Sequence, residues 1–217
     1  MLIYSLRITF ATELLGAAPL DESIYSSYIA SRAPAEAVAN GHTDAELAAV
    51  RQAEHDARDI KGRTGFLRDE TGRPLIMDYV VRGYMKDAWR AMSKIPGTES
   101  AKLKAGLASI NRYAFVEGAG DHADKRYIVL RLPHGGAESV RERSLRASTP
   151  QGERIALAAS EQLPVGTWCD IKLAVLHPGL LGESLLRELL DYGQWQGLGQ
   201  WRNASNGRFR YTLKPWA

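Results

Sequence analysis

The chain has 217 residues, 45% of them apolar and 24% charged, with nine prolines and a single cysteine. This is the make-up of an ordinary soluble globular chain, and it excludes a disordered tail, a collagen-like fibre and a disulfide-stapled miniprotein. Twenty-eight Lys and Arg against 25 Asp and Glu leave a net charge of only +3, an average that argues against a strongly basic nucleic-acid binder.

The opening MLIYSLRITF alternates Leu2, Tyr4, Leu6 and Ile8 against Ile3, Ser5, Arg7 and Thr9, which predicts a strand over about 2–10. Arg7 interrupts the apolar run, so a signal peptide is not expected. Asp21 is placed to cap a short helix, DESIYSSYIAS, that ends before Pro34. Residues 35–60 are alanine-rich and hold six acids against Arg51 and Arg58. They read as an exposed, weakly amphipathic helix or a mobile segment, an acidic insertion bounded at about 33–62. TGFLRDETGRPLI predicts a hairpin turning at Glu70-Thr71-Gly72. Val81, Met85, Ala88, Trp89 and Met92 share one face of a helix over about 78–94, which Pro96 and Gly97 stop.

A short helix is expected within 98–110. Strands follow at 112–118, 126–132, about 140–147, 154–160 and 167–176, and 117–163 reads as a β-rich insertion. Leu181, Leu185, Leu189 and Tyr192 make one stripe of a helix over about 180–192. The glycine-rich loop GLGQWRNASNG and the strand RFRYTLK complete the order. Reduced to its longest elements, this is a split β-α-β arrangement: α+β, a ferredoxin-like (RRM-like) antiparallel sheet with two main helices and inserted subdomains, in one domain spanning 1–217.

The net charge of +3 is a sum of opposed blocks. Residues 35–60 are −4, the segment from Tyr192 onward is +4 with no acid, and without the acidic insertion the chain is +7. Residues 125–154 hold seven bases, among them Arg143 and Arg146, against three acids. Basic blocks interleaved with Tyr127, Trp195, Trp201, Phe209 and Tyr211 suit a phosphate backbone with stacked bases. Solvated strand faces with a few core aromatics would produce the same pattern.

Gly197-Leu198-Gly199 resembles the start of a dinucleotide fingerprint, but a helix precedes it, a strand follows, and Arg202 takes the third glycine's place, so NAD binding is rejected. Its glycines could let a phosphate approach the backbone closely, or could only serve a tight helix-to-strand connection. The five histidines lack zinc-site spacing, and no metal or cofactor is expected. The buried-filler reading of Cys169 is preferred to a reactive one. His134, in Pro-His-Gly-Gly, is a weak candidate for acid–base cleavage of RNA.

Three segments together resemble a family. RPLIMDYVVRGYMKDAWRAM, LPVGTWCDIKLAVL and LLRELLDYGQWQGLGQWRNASNGRFRY are similar in order and spacing to the first helix, the strand before the second helix, and the second helix with its glycine-rich loop and last strand in CRISPR-associated RAMP proteins. The nearest type is the backbone subunit that polymerises along guide RNA. The chain also looks like small phage or prophage proteins. The resemblance implies an RRM-like core, RNA as partner, and a homo-oligomer or a place in a larger complex. Separately, no stretch approaches the roughly 20 apolar residues of a membrane span, and a single cysteine allows no intrachain disulfide, so no membrane association and a cytoplasmic setting are expected. It places Arg82, Lys86 and Arg90 of the first helix, and Gly197, Gly199, Arg202, Asn203, Gly207 and Arg208 of the loop, against the nucleic acid. A non-catalytic binder that self-associates along RNA or a single strand is the leading expectation. A phage assembly or counter-defence module and a RAMP-like endoribonuclease are the alternatives.

Overall fold

The computed structural model describes residues 1–20, 63–120, 125–149 and 152–216, with side chains left aside over 145–157. The acidic insertion, the DESIYSSYIAS segment, His42, His55 and His122 lie outside the described residues. The chain divides into two compact units. The first comprises Met1–Leu14, Leu75–Gly136 and Pro164–Ala217, and the second Leu15–Pro74 and Ala137–Leu163.

In the first unit, β1 (Leu2–Phe10) is followed by three helices, α1 (Asp78–Met92), α2 (Glu99–Lys102) and α3 (Gly106–Tyr113). Then come strands β7 (Ala114–Gly118), β8 (Tyr127–Val129) and β11 (Trp168–Val175), helix α4 (Glu183–Asp191) and β12 (Phe209–Pro215). The main sheet has four strands in the order β12-β1-β11-β7, antiparallel at every pairing. Taken with α1 and α4, this is β-α-β-β-α-β connectivity with strands in the order 4-1-3-2, the ferredoxin-like arrangement expected from the sequence. The fold is α+β.

Alternation decides which face of the sheet is buried. Leu6, Ile8 and Phe10 of β1, Ile171 and Leu173 of β11, and Phe209 of β12 are at most 1% exposed. Val81, Tyr84, Met85 and Ala88 of α1 and Leu185, Leu186, Leu189 and Leu190 of α4 belong to the same core. Each such side chain stabilises the fold by about 1.5–3 kcal/mol relative to exposure. Phe209 meets Phe10 and Tyr84 edge-on at 6.3 and 5.2 Å between ring centroids. The Tyr84 hydroxyl, whose pKa burial raises, donates to the carbonyl of Leu189 at 2.8 Å and so ties α1 to α4. Cys169 is fully buried in β11, and burial pushes its thiol up to about 12, with Asp170 adding to the shift.

Two boundaries differ from expectation. The region 98–110 holds two helices, broken at Leu103–Ala105, and α3 runs on to Tyr113 before β7 begins at Ala114. Gly106, Ser109 and Ile110 are buried at helical spacing, so packing carries the helix past Arg112, where propensity had placed the strand. Strand β6 (Pro74–Met77) pairs with β8 through Leu75↔Val129 and Ile76↔Ile128.

In the second unit, β9 (Ser139–Thr149) and β10 (Gly152–Leu163) form one long antiparallel hairpin, in register from Thr149↔Gly152 to Ser139↔Gln162. β10 pairs in parallel with β4 (Arg63–Gly65), and β4 pairs with β3 (Ala18–Pro19). Arg68 of β5 (Leu67–Arg68) bridges Glu138 at 2.6 Å and Glu161 at 3.2 Å. Glu161 also accepts the backbone N–H of Phe66 at 2.9 Å. The Glu70-Thr71-Gly72 turn is closed by Asp69, which accepts from the N–H groups of Thr71 and Arg73 and from the Thr71 hydroxyl.

Candidate nucleic-acid interface

Helix α1 spends one face on the core, through Val81, Tyr84, Met85 and Ala88. Helical periodicity then turns Arg82, Lys86 and Arg90 outward as one stripe, with neighbours about 6 Å apart. Asp78 at the start of the helix is nearly buried and carries two guanidiniums. Arg82 bonds it at 2.7 Å, and Arg126, 48 residues away in sequence, at 3.3 Å. Lys86 has no such partner among the described residues. Burial lowers its pKa, and Arg82 and Arg90 lower it further. Lys86 and Arg90 are therefore positive charges that no carboxylate among the described residues pairs, beside an Arg82 that shares Asp78 with Arg126.

Gly83 lies between Arg82 and Lys86 in the interior of α1. A side-chain carbon added there would meet nothing within 4 Å. Glycine costs about 1 kcal/mol in a helix interior relative to alanine, and no internal contact requires it. The helix surface beside the three cations is thereby left bare.

The loop after α4 comes to the same helix. Arg202 bonds Asp87 of α1 through Nη1 at 2.9 Å. Arg202, Asn203 and Ala204 form a short 3-10 turn, flanked by Trp201 at φ 54° and Ser205 at φ 65°. Left-handed backbone costs a non-glycine residue about 1 kcal/mol or more and persists only where its surroundings enforce it. Buried Asn206 provides the enforcement, donating from Nδ2 to the carbonyls of Trp201 and Ala204 at 3.1 and 3.4 Å. Arg208 donates to the Ser205 hydroxyl at 2.8 Å. Asn203 is exposed at the tip.

The glycines of this loop serve its own closure. Gly197 and Gly207 lie so close that a side-chain carbon on either would collide with the other strand of the loop. The N–H groups of Leu198, Gly207 and Arg208 go to Gly207 O, Glu13 O and the Thr12 hydroxyl. Those groups are spent inside the protein rather than held open for phosphate. Gly199, at φ 81°, supplies a left-handed step.

The sequence-predicted residues thus separate into groups. Arg82, Lys86, Arg90 and Arg202 come together on or against α1. Gly197, Gly199 and Gly207 shape the loop, with Asn203 at its tip and Arg208 bonded within it. Arg143 stands in β9 opposite Ala158, in the second unit. Arg146 is opposite Ile155 by register, and its side chain is outside the described residues. His134 is exposed in a turn closed from Gly136 N–H to Pro133 O at 2.9 Å. Sequence reasoning missed Asp78, Arg126 and Asn206. Asp78 and Arg126 meet only through the β6–β8 pairing, and Asn206 was hidden among the polar residues of its loop.

Among the described residues no group of three or more His, Cys, Asp or Glu is placed to hold a metal, and no helix is long and apolar enough to cross a membrane.

No family model and no curated protein matches the sequence. Solved structures do. A chain in the cryo-EM structure of the type III-B Cmr-beta complex bound to cognate target RNA aligns over 99% of this chain and 60% of its own length, with a TM-score of 0.52 at 9% identity. This chain therefore spans about three-fifths of the length of that relative. A chain of a type IV-B CRISPR complex aligns over 98% of this chain and 90% of its own, with a TM-score of 0.45 at 12% identity. At 9% identity the likeness is one of fold alone, shared with that chain of the type III-B Cmr-beta structure.

Proposed function

We propose that this chain is a non-catalytic RNA or single-stranded nucleic-acid binding protein of RAMP type that self-associates along its nucleic acid. The observation that carries the reading is the Arg82–Lys86–Arg90 stripe, in which Lys86 and Arg90 have no carboxylate partner among the described residues and burial, with Arg82 and Arg90, lowers the Lys86 pKa. A phosphate backbone supplies the missing anions, and bare Gly83 lets that backbone approach the helix. Arg202 and Asn203, on the strained turn beside α1, extend the contact. The fold supports the reading, since the Cmr-beta structure containing the similar chain is described as bound to target RNA.

Self-association draws on a different feature. Trp195 is 72% exposed and Ile95 50% exposed. Trp195 lines an open cleft of about 720 Å³ with Met92, Arg187, Glu188 and Tyr192. A large aromatic side chain left exposed at the mouth of a cleft is a candidate anchor for another macromolecule.

Binding of a labelled single-stranded RNA, titrated at several salt concentrations, tests the main reading. Each phosphate neutralised adds about 0.7 to the steepness with which log affinity falls against log salt. Replacing Lys86 and Arg90 by alanine should weaken binding and flatten that slope. A wild-type chain that binds neither RNA nor single-stranded DNA at low salt would remove the proposal. Light scattering with and without nuclease treatment tests the assembly half. Oligomers that persist after nuclease treatment and dissolve with Trp195→Ala are expected, and a strict monomer with or without nucleic acid would refute it.

A further inference from the structure

The four-stranded sheet has a second face. Positions on β1 that do not enter the core are Ile3, Ser5, Arg7 and Thr9, and β11 adds Trp168, Asp170, Lys172 and Ala174. β12 contributes Arg210, Thr212 and Lys214, all exposed, and β7 contributes Phe115, 41% exposed. It carries cations, two aromatics (Trp168 and Phe115), the small polar Ser5, Thr9 and Thr212, and the apolar Ile3 and Ala174.

One part of it is built with care. The Arg7 guanidinium lies over the Trp168 ring at 4.2 Å, and Arg131 lies against the same ring at 4.8 Å. Asp170 fixes the Arg7 plane through two bonds, Nε to Oδ1 at 2.7 Å and Nη2 to Oδ2 at 2.8 Å. Yet the Arg7 side chain remains 50% exposed. The result is a flat cation, locked from the side by a carboxylate and stacked on an indole, with half its surface open to solvent. Guanidinium planes of this kind stack with unpaired bases.

The register places charge on both sides of that plane. Arg7 stands opposite Thr212, so Arg210 and Lys214 flank it on the adjacent strand, next to Thr9 and Ser5. Arg210 and Lys214 are about 13 Å apart along β12, at roughly 3.3 Å per residue. The two carboxylates of the face are already committed, Asp170 to Arg7 and Glu117 to Lys172 at 3.0 Å. No ion pair to Arg210 or Lys214 occurs among the described residues, and β12 holds no acid. The positive charge here calls for an anion from outside.

We propose that this open sheet face is a second track for single-stranded nucleic acid, in which a base stacks on the Arg7–Trp168 pair and the phosphates on either side contact Arg210 and Lys214. The inference rests on the nucleic-acid reading above but uses a different surface from the α1 stripe. Stacking needs an unpaired base, so duplex is excluded from the platform. The phosphate contacts are common to RNA and DNA.

The test uses the full chain and three labelled probes of equal length: a single-stranded RNA, the matching DNA, and a duplex. Arg210→Ala/Lys214→Ala should reduce the steepness of the single-strand salt dependence by about 1.4, two phosphates at roughly 0.7 each. Arg7→Lys keeps the charge and loses the plane. It should leave the salt slope unchanged, weaken single-strand binding by about tenfold through lost stacking, and leave duplex binding as it was. A weaker effect on DNA than on RNA would assign the track to RNA, and equal effects to either strand. If wild type binds and the Lys86/Arg90 variant weakens, but Arg210→Ala/Lys214→Ala and Arg7→Lys both behave as wild type, the sheet track is refuted and the α1 interface stands. If wild type binds no probe, the underlying reading fails and the track with it.

Discussion

Gly83 offers a sharp test because the two halves of the argument predict opposite outcomes for it. It is the sixth residue of the 15-residue helix α1. A methyl group there would meet nothing within 4 Å, so no clash opposes it. Gly83→Ala should therefore stabilise the protein by about 1 kcal/mol, through helix propensity and a less flexible unfolded chain. For a chain of 217 residues that is a rise in Tm of about 2–4 °C. If the bare helix surface exists so that a phosphate backbone can come close, the same substitution should weaken RNA binding. Gly83→Leu, with a larger side chain in the same open space, should weaken it by about tenfold, or 1.4 kcal/mol. Thermal unfolding and salt-controlled binding on the same preparations read both effects. A Gly83→Ala protein that is no more stable would refute the account of α1. A Gly83→Leu protein that binds as wild type does would refute close approach, and with it the reason offered for glycine at this position.

Three further outcomes follow from the geometry. Glu161→Ala leaves Arg68, only 11% exposed, without one of its two carboxylates, and strips the Phe66 N–H of its acceptor; it should cost roughly 3 kcal/mol, seen as a lower urea midpoint. Gly207→Ala demands a φ of +71° from alanine and drives a methyl into the Leu198 carbonyl; a loss of at least about 2 kcal/mol is expected, with Leu198 and neighbouring amides losing protection from hydrogen exchange. Burial would raise the Asp69 carboxyl, but hydrogen bonds from the Thr71 hydroxyl, the Arg73 N–H and guanidinium, and the Thr71 N–H outweigh it and hold the pKa below its ordinary value. A pKa depressed on folding contributes stability above the unfolded value and loses it as pH falls through the folded one. Asp69→Asn should therefore destabilise the protein at pH 7 and have little effect at pH 2, and an equal loss at both would contradict the sign.

The sequence was most legible where burial follows a short period. The alternation of Tyr4, Leu6 and Ile8 marked β1, and Val81, Met85 and Ala88 marked the core face of α1, because side-chain period and burial coincide there. The stop of α1 and the turn at Glu70-Thr71-Gly72 were legible for the same local reason. The start of β7 was not, because Ile110 extends α3 through a contact that no neighbouring residue announces. The loop GLGQWRNASNG showed its glycines but not their use. Gly197 and Gly207 meet each other, and Glu13, nearly 200 residues upstream, takes the Gly207 N–H.

By itself the sequence determined the α+β class, the order of the main elements, and the division of a modest net charge into acidic and basic blocks. Composition and periodicity carry these because they are sums or local patterns. The tertiary structure decided which charges share a surface. Arg7 and Asp170, 163 residues apart, meet through strand register, and the same register brings Arg210 and Lys214 to either side of them. Asp78 collects Arg82 from its own helix and Arg126 from the chain just before β8, while Lys86 has no carboxylate partner among the described residues. Strand pairing and helix packing are non-local, and a one-residue slip of β1 or β12 would turn Arg7, Arg210 and Lys214 to the opposite face of the sheet.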